Sequence, residues 1–146
     1  MDEIQNESSI EHQDSLKILV LDDEESFTSD MQIYLQKAGF ETFISNTVDP
    51  AIEVLKNYEI DLLIMCVRLT GANGLDILKQ VKEEYPRVEV IIASGHGDIY
   101  TAIKSFRLGA LDYLRKPFSQ SELQIALDRA MKIINQKREL TDRKNS

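Results

Sequence analysis

Five short apolar runs, at 18–21, 41–44, 62–66, 88–93 and 111–114, recur along the chain, and apolar residues between them follow helical spacing. Runs this continuous suit strands buried on both faces, with the intervening helices as cover, so the pattern predicts a parallel sheet with helices on both sides. Met31, Tyr34, Leu35 and Ala38 form one helical stripe, which stops at Gly39. Asp49 then Pro50 give an N-cap and a first-turn proline for a second helix holding Ile52 and Leu55. Leu75, Leu78 and Val81 mark a third helix ending before Pro86, and Ile99, Ile103 and Phe106 a fourth ending at Gly109. The fifth opens on Ser119 and Glu122, spaced as a capping box, and turns Leu123, Leu127, Ala130 or Met131, and Ile134 inward.

The chain has 146 residues, enough for one compact domain. Residues 1–15 are polar and acidic without apolar periodicity and read as a disordered leader, in which His12 is a solvated tail residue. The domain is expected over residues 16–135, and residues 136–146 as a charged helix end or linker tail. No apolar run reaches the roughly 20 residues that a membrane helix needs, and acids stand where a secretory signal carries Lys or Arg, so a cytoplasmic protein is expected. The single cysteine, Cys66, has no partner for an internal disulfide. A net charge of -8 argues against direct contact with nucleic acid or an anionic membrane and suits a cation or a basic protein partner. No helix-turn-helix or ATPase motif stands out.

Open parallel sheets bind ligands at the carboxyl ends of their strands, so the residues just past each run carry the information. A dinucleotide site would place Gly-x-Gly-x-x-Gly after the first strand, and a flavin-phosphate site Ser, Thr and Gly. Here Asp22, Asp23, Glu24 and Glu25 follow it, a set that repels phosphate and suits a hard divalent cation such as Mg2+. Acids in a first helical turn are also favoured by the helix dipole, which accounts for Glu24 and Glu25. Asp22 and Asp23 abut a buried strand, where carboxylates need a positive partner. Ser94 and Lys116 end two other apolar runs at the same edge. His96, between Gly95 and Gly97, has no nucleophile beside it in sequence and reads as a loop residue, and the stretch from Gly71 to Gly74 with Asn73 reads as a turn closing the site.

Four separated segments resemble the receiver domains of bacterial two-component response regulators, in the family's order. They are Ile18-Leu19-Val20-Leu21-Asp22-Asp23-Glu24, Val67-Arg68-Leu69 through Gly74, Ala93-Ser94-Gly95-His96-Gly97-Asp98, and Leu114-Arg115-Lys116-Pro117-Phe118. The resemblance covers residues 17–134 and implies a flavodoxin-like, doubly wound five-stranded parallel sheet of order 2-1-3-4-5 with five helices. By position it makes Asp22, Asp23 and the Arg68 backbone carbonyl ligands of Mg2+, Ser94 the hydroxyl that binds a phosphoryl oxygen, Lys116 its ammonium partner and Tyr113 the aromatic switch. It implies a regulatory module of a phosphorelay, itself no enzyme, whose partner is a sensor histidine kinase or another signalling protein. The fourth and fifth helices and the strand between them are the surface for partners or for a homodimer.

One position departs. Where the family's third strand ends in the aspartate that accepts the phosphoryl group, this chain has Cys66, and a one-residue shift of register would turn the side chain to the other face. Thr70 stands where proline is usual. A thiol beside carboxylates and partly buried stays neutral near pH 7, adds no charge to a metal and weakens Mg2+ binding, leaving Lys116 to pair with Asp22 or Asp23. Three readings remain open: a degenerate pseudo-receiver acting as a protein-interaction module; a phosphoryl acceptor of altered chemistry, in which Cys66 or a neighbouring acid takes the group, or a deliberate aspartate-to-cysteine replacement in an ordinary receiver; and a redox or soft-metal sensor at Cys66.

Overall fold

The structure, a computed structural model, describes residues 16–95 and 99–145. The acidic leader with His12, the loop residues His96, Gly97 and Asp98, and Ser146 lie outside the described residues.

The elements run β1 (Lys17–Leu21), α1 (Glu25–Lys37), β2 (Glu41–Ser45), α2 (Val48–Asn57), β3 (Leu62–Met65), β4 (Arg68–Leu69), β5 (Ala72–Asn73), α3 (Gly74–Glu84), β6 (Glu89–Ser94), α4 (Ile99–Arg107), β7 (Asp112–Arg115) and α5 (Gln120–Asn145). Five strands form one parallel sheet in the order β2-β1-β3-β6-β7, the expected 2-1-3-4-5 when the sheet's own strands are counted. The sequence reading missed β4 and β5, a small antiparallel hairpin that reverses at Gly71, where φ is 74°.

Strand alternation divides the core into two layers. Ile18, Val20, Ile64, Ile91 and Ala93 face α1 and α5, meeting Met31, Leu35, Leu123, Leu127 and Ile134. Leu19, Leu21, Leu63, Met65, Val90 and Ile92 face the other way, onto Leu55 of α2 and Leu78 and Val81 of α3. Both faces of every central strand are therefore covered, which is why those runs read as unbroken apolar sequence.

The helix starts differ in detail from expectation. The Ser119–Glu122 capping box forms: Glu122 N donates to Ser119 Oγ at 3.1 Å, and Ser119 N reaches Glu122 Oε1 at 3.5 Å. Asp49, by contrast, is the second residue of α2 instead of its cap; extended Thr47 precedes the helix without a side-chain cap bond. Pro50 is still accommodated, since first-turn N–H groups lack helical acceptors in any case. On α4 the stripe that predicted the helix faces solvent: Ile99 is 80% exposed, Tyr100 68%, Ile103 48% and Phe106 49%. At the C-terminal end α5 runs unbroken past residue 135 to Asn145.

Candidate functional site

The carboxyl ends of β1, β3 and β6 and the chain just past β7 converge on a cleft of about 330 Å3, lined by Asp22, Asp23, Glu24, Cys66, Arg68, Ser94, Gly95 and Lys116. Its residues are held from below by the backbone. Asp22 N donates to Ser45 O at 3.1 Å, extending the β1–β2 pairing, and Cys66 N donates to Leu21 O at 3.3 Å, extending β1–β3. Lys116 N donates to Ser94 O at 3.0 Å, which fixes the lysine against the end of β6.

The acidic pair divides between two environments. Asp22 is buried, its Oδ1 accepts from Glu24 N at 3.0 Å and its carbonyl accepts from Asn46 Nδ2 at 2.8 Å, so α1 starts from a fixed carboxylate. Asp23 is exposed and accepts from Thr70 Oγ1 at 3.1 Å. Proline at position 70 would have no donor for that bond, so the atypical Thr70 ties the β4–β5 hairpin to the acidic loop. A potential ligand atom from each of Asp22, Asp23 and Cys66 lies within 4.8 Å of the others.

The Lys116 ammonium supplies the opposite charge from inside the protein. Nζ donates to Asp22 Oδ2 at 2.6 Å, lies 3.7 Å from Glu24 Oε1 and sits 3.9 Å from the centre of the Phe27 ring. A desolvated carboxylate is tolerable only with such a partner, and the aromatic face adds further attraction for the cation. Sequence reading left Lys116 to pair with Asp22 or Asp23, and the structure pairs it with Asp22; that reading assigned Glu24 to the helix dipole and missed Phe27, and both belong to the ammonium's surroundings.

Cys66 is buried, and its thiol donates to the Arg68 carbonyl at 3.0 Å. Burial above all, then the negative charge of Asp22 and less that of Asp23, pushes its pKa up to about 12, against weaker lowering by the Asp23 backbone N–H and Lys116. The sulfur is therefore a neutral thiol near pH 7. Close packing confines it: a Cβ on Gly74 would stand 2.4 Å from Cys66 O and 2.6 Å from Val67 O, and Gly74 N donates to Val67 O at 2.6 Å. Asn73 Oδ1 accepts from Leu75 N at 2.9 Å, so the turn that closes the site also caps α3.

These contacts fit Mg2+ poorly. The ion takes oxygen ligands in near-octahedral array; here sulfur occupies one corner as a neutral thiol, the Arg68 carbonyl already accepts its proton, and an ammonium occupies Asp22 Oδ2. Tyr113 stands apart from the cleft on β7, where its ring packs into the second core layer with the hydroxyl shielded from solvent.

Comparison with known proteins agrees with this architecture. Residues 18–128 match the family described as response regulator receiver domain. A response regulator NtrX-like protein of Rickettsia typhi is 36% identical over 132 residues, which are 89% of this chain and 28% of that protein. The chain thus spans little more than a quarter of the curated relatives first matched. Among solved structures, a response regulator receiver domain protein from Clostridium thermocellum superposes with a TM-score of 0.76 at 35% identity, covering 86% of this chain and 98% of that one. The beryllofluoride-activated NtrC4 receiver domain dimer gives 0.77 at 30% identity, covering 81% and 98%.

Proposed function

Because the chain belongs to the response regulator receiver domain family, we propose that it is a pseudo-receiver, a regulatory interaction module of two-component signalling that works without aspartyl phosphorylation. The observation that carries this reading is the state of Cys66: a buried, protonated thiol already donating to the Arg68 carbonyl, where the family's acceptor would present an anionic oxygen. Lys116 is spent on Asp22 and so stabilises the resting pocket. Ser94, buried at the end of β6, would bind a phosphoryl oxygen on the family's plan, but the residue at the acceptor position in its cleft is Cys66 in place of an aspartate.

The partner surface is the exposed apolar face of α4, with Ile99, Tyr100, Ile103 and Phe106, next to β7 and α5. Its occupant is a signalling protein, such as a sensor histidine kinase, or a second copy. The described helices include none long and apolar enough to cross a membrane, and a cytoplasmic location suits this role. A phosphoryl-accepting thiolate, a redox sensor or a soft-metal site each needs ionised sulfur, which the high pKa withholds.

Intact-mass measurement after incubation with acetyl phosphate and Mg2+ tests the reading. The native sequence is expected to stay unmodified, while Cys66→Asp gains one phosphoryl group. Stoichiometric phosphorylation of the native chain would sink the proposal.

A further inference from the structure

The opposite end of the sheet holds a second set of buried charges. Asp61, just before β3, and Glu89, the first residue of β6, are 6% and 4% exposed, and Glu89 N donates to Asp61 O at 3.0 Å. Both carboxylates are held by cations from the far turns of α5. Arg138 Nη2 donates to Asp61 Oδ1 at 2.7 Å, while Asp61 Oδ2 accepts from the Lys17 backbone N–H at 2.8 Å. Lys137 Nζ pairs with Glu89 Oε2, whose other oxygen lies 3.9 Å from Lys82 Nζ.

The distal turns have little else to hold them. From Asn135 to Thr141 α5 buries no residue, and Leu140 is 57% exposed. Helical turns without a packed face fray in water, yet α5 stays helical through Asn145. Residues 137 and 138 also lie beyond the stretch that matches the family, 18–128. Asp61 precedes β3 and Glu89 opens β6, the strands that lead to Cys66 and Ser94 at the far edge of the sheet.

We propose that Lys137 and Arg138 form an ionic clasp with Glu89 and Asp61, which fastens the distal turns of α5 to the amino edge of the sheet and keeps them helical beyond the packed core.

Amide hydrogen exchange on the full chain tests the clasp, comparing the native sequence with Lys137→Gln/Arg138→Gln. Glutamine has nearly the same helix propensity as Lys and Arg, so the change removes the pairs and not the helical preference. Exchange across residues 135–141 is expected to accelerate about tenfold, with amides of β1, β3 and β6 unchanged. Unchanged exchange at 135–141, or equal acceleration throughout the chain, overturns the proposal. A second readout is a cycle with Asp61→Asn: this change is expected to cost much less stability in the Arg138→Gln background than in the native one, and full additivity overturns the pairing.

Discussion

The two ends of the sheet solve one electrostatic problem in opposite ways. At each, buried carboxylate meets ammonium or guanidinium: Asp22 with Lys116 at the carboxyl edge, Asp61 and Glu89 with Arg138 and Lys137 at the amino edge. At the amino edge the cations come from a helix laid over the strand ends. At the carboxyl edge the pair borders an open cleft, beside an exposed Asp23 and a thiol that carries no charge. Clefts of similar size, about 310 and 330 Å3, border the ion pairs at the two edges, so neither a buried ion pair nor open space beside it is by itself a sign of chemistry; what sets the carboxyl edge apart is the exposed Asp23 and the uncharged thiol that share its cleft.

The largest effect expected concerns Cys66. With a pKa near 12 in place of the usual 9.0, the folded chain should react with iodoacetamide at pH 8 about a thousandfold more slowly than the urea-unfolded chain. Alkylation at comparable rates would mean that the carboxyl edge opens to an ionised sulfur. The sign of the linked stability follows: a raised pKa favours folding fully below about pH 9, and this contribution is lost as pH rises toward 12.

Gly74→Ala should cost about 3 kcal/mol in urea unfolding, because the new Cβ meets backbone oxygens that cannot move without displacing Cys66. A loss near zero would show that the loop under the cleft is loose.

The contrast between the edges is sharpened by a matched pair. Asp61→Asn should destabilise by about 2 kcal/mol, since it strips the clasp of a buried anion while Arg138 is only partly exposed. Asp22→Asn should cost at least as much, about 2 kcal/mol or more, because Lys116 and Asp22 are the more deeply buried pair, with side chains 15% and 1% exposed. A markedly smaller loss for Asp22→Asn than for Asp61→Asn would show that the carboxyl edge does not depend on its ion pair. Smallest is Ser119→Ala, expected to lower stability by about 1 kcal/mol through the lost cap while leaving exchange at residues 135–141 untouched.

Much of this molecule was legible in its sequence because the local patterns agree with the global fold. Val90 to Ala93 read as a strand and are buried on both faces; Met31 and Leu35 read as one stripe and fill one core layer. The cleft was legible because strand ends carry Asp22, Cys66, Ser94 and Lys116 at positions that only the parallel topology brings together. What escaped depends on distances that no local pattern encodes. Glu89 was passed over inside an apolar run, since its partner lies 48 residues later on a helix whose apolar period had ended. Periodicity also misjudged α4, where a stripe at core spacing faces outward, because spacing reports a shared face and not what covers it.

Phe27, Asp22 and Glu24 surround the lysine amine closely enough that the domain carries its own counter-ion in permanent residence. A metal entering the cleft would have to compete with that ammonium for the Asp22 carboxylate. On the reading proposed above, chelators or magnesium starvation leave the domain's contacts with its partners unchanged.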